Sequence, residues 1–364
     1  MKVAIIHYWL VSMRGGENVL ENICKIYPKA DIYTHVYLPS KISANINKHN
    51  IYTTFINYLP FSKKLYRYYL PLMPLALRML KLNEYDLVIS SESGPAKGVN
   101  ISSKTKHICY CHSPMRYIWD MYDEYYKQYN ILEKIGIKLF INHMKRWDLY
   151  SSEKIDLIIA NSIFVQKRIN KYWKKKSFVV NPSINLKEFN ISESIDEYYI
   201  VLSEMIGYKQ VNMVIDAFNL NKKKLIIIGD GLMLNKYKKC SKSNIIFLGR
   251  LFGKEKNNYL SKCKAMIFAG IEDFGIAPLE VMASGRPVLA ANKGGVLEYL
   301  QEDINGMLFE YNSVKSLNDC IEKFEKNILT FDSYKIRDSI KEYSDSNFRN
   351  NFKRVLKKIN VENE

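Results

Sequence analysis

Residues 269–288 read Ala-Gly-Ile-Glu-Asp-Phe-Gly-Ile-Ala-Pro-Leu-Glu-Val-Met-Ala-Ser-Gly-Arg-Pro-Val. An apolar strand is predicted to end near Phe268, just before this stretch. A helix is predicted to begin near Pro278, because proline is favoured at the first helical position. The stretch is therefore predicted to form the loop and helix of a strand–loop–helix unit, the building block of a parallel α/β sheet.

Two carboxylates of this stretch, Glu272 in the loop and Glu280 in the helix, are predicted to face one cleft. We place Glu280 in the first turn, where the helix dipole favours the ionised form, and an ionised carboxylate accepts hydrogen bonds from two sugar hydroxyls. Gly275 permits close approach of the backbone, and amides around Phe274 and Ile276 can donate to a polar ligand. The alternative is ordinary helix capping and a surface turn.

The rest of the chain repeats this alternation of short apolar runs with helix-like segments. Several runs are almost wholly apolar, as in parallel strands that are covered on both faces. The pattern predicts an α/β protein in which a doubly wound parallel sheet occurs twice. Strands are predicted at residues 3–7, 32–36, 87–90, 108–111, 157–160 and 178–180, and then at 199–202, 225–228, 245–248, 266–268, 287–290 and 307–309.

The length of 364 residues, of which 47% are apolar, predicts two domains, each with its own core. The boundary is predicted near residues 181–198, where turn and capping residues interrupt the apolar pattern. The segment at 333–360 is predicted to be one charged amphipathic helix. Two open sheets that face each other would place their carboxyl edges around one cleft, where a ligand is expected to bind.

The six cysteines have neither the paired short spacings nor the histidine cluster of a zinc site. Cys109 and Cys111 alternate in an apolar run and are predicted to share one face of a strand. Buried, reduced thiols indicate the cytoplasm. The amino terminus lacks the pattern of a signal peptide, and no stretch approaches the ~20 apolar residues that cross a bilayer. We therefore expect a soluble or peripheral protein.

The net charge of +17 is concentrated in the front half. Residues 1–180 hold 27 Lys and Arg against 13 Asp and Glu, whereas residues 181–364 hold 27 against 24. A basic half attracts nucleic acid, anionic lipid or a phosphorylated substrate, and the alternative is a solvated basic face. No nucleic acid is expected as a partner, because no zinc knuckle, RNA-recognition strand or helix-turn-helix pattern occurs.

The segment at 55–82 interleaves aromatic and aliphatic residues with cations. Such a segment can lie at an anionic membrane surface, its apolar side in the lipid and its cations at the lipid phosphates. The alternative is a helix pair packed on the first sheet. A second basic stretch at 168–176 is expected to extend the same surface. The cations of the first segment are Lys63, Lys64, Arg67, Arg78 and Lys81.

The pattern Glu-Asp-Phe-Gly-x-x-Pro-x-Glu from residue 272, followed by Gly-Arg-Pro-Val, resembles the donor signature of the family 4 retaining glycosyltransferases. That family has the GT-B fold, in which two Rossmann-like domains face each other across a cleft. Similar stretches follow the family's order along nearly the whole chain, and they look most like the branch that builds bacterial O-antigen, capsule and exopolysaccharide repeats, often as mannosyltransferases. They lie at residues 7–17, 69–74, 85–90, 107–117, 159–162, 208–209, 228–231, 247–250 and 293–295.

The resemblance implies roles for the acidic loop and helix. Glu280 is implied to accept hydrogen bonds from the ribose hydroxyls of a nucleotide-sugar. Glu272 is implied to bind hydroxyls of the donor sugar, helped by the amides of Phe274 and Gly275. Retention in the family is usually explained by attack on the face that the leaving group vacates, so Glu272 is not assigned as a nucleophile.

The resemblance also implies where the diphosphate and the reacting carbon lie. Lys209 is implied to be the cation that stabilises the leaving diphosphate, and Gly15 and Gly16 form the turn whose amides approach it. His112 is implied to lie near the reacting carbon, the alternative being a core histidine at a strand end. Arg250, just after the predicted strand at 245–248, is expected either to supply charge at the diphosphate or to lie beside the base. Fixed cations and amides favour the transition state because negative charge builds on the departing phosphate.

The implied domains are 1–182, which binds the acceptor and receives a C-terminal helix at about 340–364, and 183–339, which binds the nucleotide-sugar. The implied acceptor is a lipid-linked saccharide at the inner face of the cytoplasmic membrane. The implied donor is GDP-mannose. No divalent metal or other cofactor is expected, and the sequence contains no Asp-x-Asp triplet, the motif that holds a metal in the other main glycosyltransferase fold.

One position departs from the family pattern, because Glu204 stands where many members carry a phosphate-binding Arg. A carboxylate ~4 Å from a phosphate would be repelled by about 4 kcal/mol at a surface-like dielectric. We expect Glu204 to turn away from the phosphates and to pair with Lys209 or Arg250. Alternatives to a transferase are a non-catalytic basic binding protein on a degenerate fold and a sugar-nucleotide epimerase. A nicotinamide dehydrogenase is disfavoured, because the first turn lacks Gly-x-Gly-x-x-Gly.

Overall fold

The structure is a computed structural model that describes residues 1–122, 126 and 131–359. Its contacts divide the chain into two compact units, which are described separately. The first unit comprises Met1–Ser183 together with the residues from Asp345 onward, and the second comprises Ile184–Ser344. Among the described residues, no helix combines the length and the apolar character needed to cross a membrane.

The first unit is built on a sheet of seven parallel strands in the order β3-β2-β1-β4-β5-β6-β7. Apolar side chains alternate between its two covered faces: Val3 and Ile5 pack into one cluster, and Ala4 and Ile6 into another. The strands are β1 (Val3–His7), β2 (Asp31–Thr34), β3 (Ile51–Thr53), β4 (Leu87–Glu92), β5 (Lys106–Cys111), β6 (Leu157–Ala160) and β7 (Phe178–Val179).

The edge strand β3 was not among the predicted strands. It has only three residues and Tyr52 is exposed, so it lacks the continuous apolar run by which a central strand is recognised. The prediction for the cysteines of β5 is confirmed, because Cys109 and Cys111 are buried, have free thiols and share one apolar cluster. Other strand ends shift by one or two residues, so that β2 stops at Thr34 and β4 continues to Glu92.

Helices of this unit cover the sheet and connect its strands. Helix α1 follows β1 directly, and its apolar side packs on the sheet through Val19, Leu20 and Ile23. The helices are α1 (Gly15–Ile26), α2 (Ala44–Asn47), α3 (Ser62–Leu65), α4 (Met73–Arg78), α5 (Ile131–Glu153) and α6 (Ile163–Trp173).

The second unit repeats the plan with six parallel strands in the order β10-β9-β8-β11-β12-β13. Strands β9 and β12 are wholly buried, which agrees with their apolar sequences. The strands are β8 (Tyr199–Leu202), β9 (Leu225–Ile228), β10 (Ile245–Gly249), β11 (Met266–Phe268), β12 (Val288–Ala291) and β13 (Gly306–Phe309). The helices are α7 (Val211–Asn221), α8 (Leu234–Cys240), α9 (Gly253–Lys262), α10 (Ile276–Ala283), α11 (Val314–Lys326) and α12 (Ser333–Asp338).

The predicted single helix at 333–360 is wrong. Helix α12 ends at Asp338, an extended residue at Ser344 follows a short 3₁₀ turn, and α13 (Asp345–Leu356) then begins. The chain breaks there because the two helices serve different cores. Ile336 of α12 packs in the second unit, whereas Phe352 of α13 packs against Tyr110 of the first unit with ring centroids 6.3 Å apart.

Candidate functional site

The loop between β11 and α10 carries the acidic residues that the sequence singled out. Gly275 caps the helix with φ of 89°, and a Cβ there would lie 3.0 Å from the Tyr299 hydroxyl oxygen. Tyr299 donates its hydroxyl hydrogen bond to the Gly275 carbonyl at 2.6 Å and so fixes the turn. The helix therefore starts at Ile276, earlier than the predicted start at Pro278. As a consequence Glu280 lies in the second turn, and its predicted place in the first turn is wrong.

The Glu280 carboxylate forms an ion pair with a residue that sequence reasoning missed. Lys256 of α9 places its Nζ 2.8 Å from Glu280 Oε2, and the two side chains are only 18% and 17% exposed. An ion pair of this kind orients the carboxylate, while its remaining lone pairs stay available to hydroxyl donors. No local pattern distinguishes Lys256 from its neighbour Lys254, so the sequence carries no signal for this contact.

A second ion pair joins two of the predicted site residues, Lys209 and Glu272. Lys209 ends a short 3₁₀ turn that follows β8, and Glu272 lies in the loop that follows β11, the neighbouring strand. A small cavity beside this pair is lined by Ser203, Lys209, Gly270 and Glu272. The carboxyl edge of the sheet thus holds a cation and a carboxylate side by side, where open α/β sheets bind ligands.

Two glycines that were not assigned a role shape this edge. A Cβ on Gly270 would lie 2.9 Å from the Lys209 Cα, and one on Gly295 would lie 2.3 Å from the Asp273 carbonyl oxygen. The Gly295 amide also donates to the Glu272 carbonyl at 2.9 Å. Any larger residue at either position would push the acidic loop away from Lys209 or from the turn after β12. The requirement for glycine at these two positions comes from close approach of distant backbone atoms, which the sequence does not show.

The predicted cation Arg250 lies on the loop after β10, where its Nε is 3.7 Å from Asp230 Oδ2, and both side chains are about half exposed. Lys209 and Arg250, the two candidates for pairing with Glu204, therefore have ion-pair partners in Glu272 and Asp230. The predicted pairing of Glu204 with either cation stays a prediction. Phe274 is buried against Tyr299, with ring centroids 5.3 Å apart, so its side chain anchors the loop.

In the first unit, the structure brings Gly16 and His112 together. Gly15 and Gly16 open α1, and a Cβ on Gly16 would lie 2.3 Å from the Tyr8 hydroxyl oxygen and 3.7 Å from His112 Nε2. His112 directly follows β5, and burial lowers its pKa to about 3, so its imidazole is neutral at pH 7. Its Nε2 lies 2.8 Å from the Ser91 hydroxyl oxygen at the end of β4.

Within the described residues, no group of three or more His, Cys, Asp or Glu side chains is arranged to hold a metal ion. The expectation of a metal-free reaction stays a prediction. The roles of the individual residues toward a donor likewise stay predictions, although the geometry groups Lys209 with Glu272 and Glu280 with Lys256.

Comparison with protein families matches both halves of the chain. Residues 13–188 match the family described as Glycosyltransferase Family 4, and residues 184–346 match the family described as Glycosyl transferases group 1. Together the two matches include all of the site residues that the sequence predicted.

Two curated relatives and one solved structure illustrate the similarity. The uncharacterized glycosyltransferase MJ1178 of Methanocaldococcus jannaschii is 28% identical over 47% of this chain and 50% of its own length. The human alpha-1,3/1,6-mannosyltransferase ALG2 is 28% identical over 49% of this chain and 41% of its own length. The chain thus matches about half the length of these relatives. Anabaena Alr3699/HepE in complex with UDP-glucose has a TM-score of 0.71 and 15% identity, covering 98% of this chain and all of that one, which is similarity of fold.

Proposed function

We propose that this chain, a glycosyltransferase of the GT-B fold whose two halves match successive glycosyltransferase families, transfers a hexose with retention from a nucleotide-sugar to a lipid-linked saccharide in surface polysaccharide biosynthesis. The observation that carries the proposal is the pair of ion pairs at one sheet edge, Lys209 with Glu272 and Glu280 with Lys256. The family matches favour neither the non-catalytic binding protein nor the epimerase.

The proposed chemistry needs no protein nucleophile. As the bond to the nucleoside diphosphate breaks, Lys209 stabilises the charge that builds on the phosphate. Glu272 orients the donor sugar through its hydroxyls, and Glu280 holds the ribose. The acceptor hydroxyl attacks the face from which the diphosphate leaves, and its proton passes to the leaving phosphate oxygen, so that the anomeric configuration is retained. Lys209 takes the part that a divalent cation plays in other glycosyltransferases.

GDP-mannose is the donor that we propose. A mannosyltransferase name among the curated relatives supports the sugar, whereas the solved neighbour was crystallised with UDP-glucose. The two donors are separated by incubating the full chain with a panel of GDP- and UDP-sugars and measuring both the rise in melting temperature and the release of nucleotide with a polyprenyl-linked saccharide acceptor. A donor bound with a dissociation constant 100-fold below its concentration stabilises the protein by about 2.7 kcal/mol. Stabilisation by UDP-glucose alone would contradict the mannose proposal. If none of the nucleotide-sugars in the panel is turned over, the proposal that the chain is a transferase is contradicted.

The acceptor is proposed to be reached at an anionic membrane surface, supported by apolar side chains that the first unit leaves in solvent. Ile131, Ile135 and Leu139 lie on one stripe of α5 and are 76%, 54% and 72% exposed. The opposite side of α5 is buried, with Met144 and Trp147 in the cluster that also contains Leu77 of α4. An apolar stripe that faces away from the core of its own unit is unusual for a surface helix and typical of one that lies in a membrane interface.

Leu77 and Leu82 of the segment at 55–82 lie in that same cluster, while other side chains of the segment are exposed. Its exposed apolar side chains include Tyr58, Phe61 and Tyr68, which are 79%, 75% and 62% exposed. Cations accompany both stretches, and the segment at 55–82 contains no Asp or Glu. Each Lys or Arg near an anionic leaflet contributes about 1 kcal/mol, so the charge selects anionic over neutral lipid.

Flotation with vesicles tests this surface. The full chain is expected to float with phosphatidylglycerol-containing vesicles at low salt. With vesicles of phosphatidylcholine alone, it is expected to remain in the bottom fraction. The double substitution Ile135→Asn with Leu139→Asn should abolish flotation. Leu329→Asn, at a 98% exposed position of the second unit, is the matched control and should float like the parent. Equal flotation of both variants would contradict a membrane role for α5.

A further inference from the structure

Four buried or nearly buried side chains form a continuous hydrogen-bonded line that ends at His112. Glu17 Oε1 lies 3.5 Å from His7 Nε2, His7 Nδ1 lies 3.0 Å from Ser91 Oγ, and Ser91 Oγ lies 2.8 Å from His112 Nε2. Glu17, His7 and Ser91 are 2%, 0% and 0% exposed. They come from α1 and from the ends of β1 and β4, and the reaction proposed above uses none of the three.

Glu17 determines which atom of each hydrogen bond in this line is the donor. The other oxygen of Glu17, Oε2, accepts the Arg14 backbone N–H at 2.9 Å, as in a helix capping box. A carboxylate in a capping box accepts hydrogen bonds through its oxygens and donates none. His7 must therefore carry its proton on Nε2, and its Nδ1 is then an acceptor.

Through the Ser91 hydroxyl, the position of the proton on His7 determines the position of the proton on His112. A hydroxyl group carries one proton, and the Ser91 hydroxyl donates it to the bare His7 Nδ1. The same oxygen can then only accept from His112, so His112 carries its proton on Nε2. The lone pair of the neutral His112 ring is left on Nδ1, which has no hydrogen-bond partner among the described residues.

We propose that Glu17, acting through His7 and Ser91, fixes the tautomer of His112, so that its Nδ1 is the free acceptor for a hydroxyl of a sugar ligand. Glu17, His7 and Ser91 are then positioning residues, and only His112 contacts the ligand. The identity of that ligand rests on the proposed function, whereas the tautomer is a property of the free protein.

The substitution Glu17→Gln reverses the line by a single change of donor and acceptor. The glutamine carbonyl oxygen takes over the Arg14 N–H, which leaves the amide NH₂ directed at His7 Nε2. That nitrogen must now accept, so His7 places its proton on Nδ1 and donates to Ser91, and the Ser91 hydroxyl donates to His112 Nε2. His112 is therefore expected to move its proton to Nδ1 and to become a donor.

Nitrogen NMR of the full chain with ¹⁵N-labelled histidine measures this directly, because a protonated and a bare ring nitrogen resonate in different regions. Spectra are recorded at pH 8, where a histidine of ordinary pKa (about 6.5) is neutral. His112 is assigned by the signal that disappears in His112→Gln. Wild type should show the proton on Nε2, and Glu17→Gln should show it on Nδ1. A proton on Nδ1 in the wild type, or on Nε2 in Glu17→Gln, would overturn the proposal.

Two further variants keep the test decisive. Glu21→Gln, on the outer side of the same helix, is the matched control and should leave His112 unchanged, since Glu21 bonds to Asn45. Ser91→Ala removes the link, so adding Glu17→Gln to it should no longer affect His112; a persistent response would also overturn the proposal. If sugar transfer fails while the tautomer responds as described, the proposed function is wrong and this inference stands. If transfer proceeds but the tautomer does not respond, the proposed function stands and this inference is wrong.

Discussion

Lys256 Nζ lies 2.8 Å from Glu280 Oε2, so the carboxylate assigned to the ribose is already held by a cation from the preceding helix. This contact links α9 to α10 in the second unit. It makes Lys256 a positioning residue for Glu280, and it gives Glu280 a defined orientation before any ligand arrives.

We therefore expect Glu280→Gln to weaken donor binding more than Lys256→Met does. The glutamine loses the charged acceptor itself, worth about 1.5–3 kcal/mol, or more than tenfold in affinity. Lys256→Met only frees the carboxylate and should cost about threefold to tenfold. Isothermal titration with the donor measures both. Lys254→Met, on the same helix and exposed, is the matched control and should bind like the parent. A larger loss for Lys256→Met than for Glu280→Gln would show that Lys256 binds the donor itself.

The ion pair of Lys209 with Glu272 predicts a strongly non-additive pair of substitutions. Lys209→Ala removes the cation proposed for the leaving diphosphate, and kcat is expected to fall at least 100-fold, the loss typical of a missing transition-state donor. Glu272→Gln combined with Lys209→Ala should cost less than the sum of the two single changes, because the residues share one contact. Steady-state kinetics with the donor measures this coupling.

The pair of Lys223 with Glu325 is the control, because it is also a partly exposed ion pair and Lys223 precedes the amino end of β9, away from the carboxyl edge of the sheet. Lys223→Ala should change kcat by less than twofold. Full activity in Lys209→Ala would remove this residue from the proposed mechanism.

Substituting Glu204 tests the departure from the family pattern. If Glu204→Arg restores the cation that resembling proteins carry, the donor should bind several-fold more tightly, because the change removes a repulsion and adds an attraction. Glu193→Arg makes the same charge change at an exposed turn and is expected to leave affinity unaltered. Unchanged binding in Glu204→Arg would indicate that position 204 faces away from the phosphates.

A buried charge cluster in the first unit predicts a stability effect. Lys97 forms ion pairs with Glu92 and Asp148, and the side chains of all three are fully buried. Lys97→Met would leave two carboxylates buried without a cation, which is expected to lower the unfolding free energy by about 3–5 kcal/mol. Urea unfolding should show this loss, and Lys104→Met, which is exposed, should show none. A loss below about 1 kcal/mol would mean that the carboxylates have taken up protons.

Two buried histidines predict a loss of stability in acid. Burial lowers the pKa of both His35 and His107 to about 4, below the ordinary 6.5 of the unfolded chain. Both are neutral in the fold, so their contribution is complete above pH 6.5 and is lost as the pH falls toward 4. His107→Gln should therefore flatten the decline of unfolding free energy between pH 7 and pH 4.5. The exposed His143→Gln is the control, and an equal effect of both would refute the assignment.

The sequence by itself determined the two parallel sheets and most of their strands, because apolar runs that alternate with amphipathic helices depend only on local spacing. The motif at 269–288 likewise located the acidic loop and its helix. The edge strand β3 was not predicted, because it is short and partly exposed. The break between α12 and α13 was not predicted either, because the two helices pack into the cores of different units.

Only the tertiary structure decided which charges and protons meet. Lys256 reaches Glu280 and Lys209 reaches Glu272 across separate strands and helices. The family resemblance singled out Lys209, but nothing in the local sequence distinguishes Lys256 from its neighbours. The line from Glu17 to His112 likewise depends on strand order, which places β1 beside β4 and β4 beside β5. Periodicity fixes elements, whereas side-chain partners are set by long-range packing that brings distant strand ends to one edge.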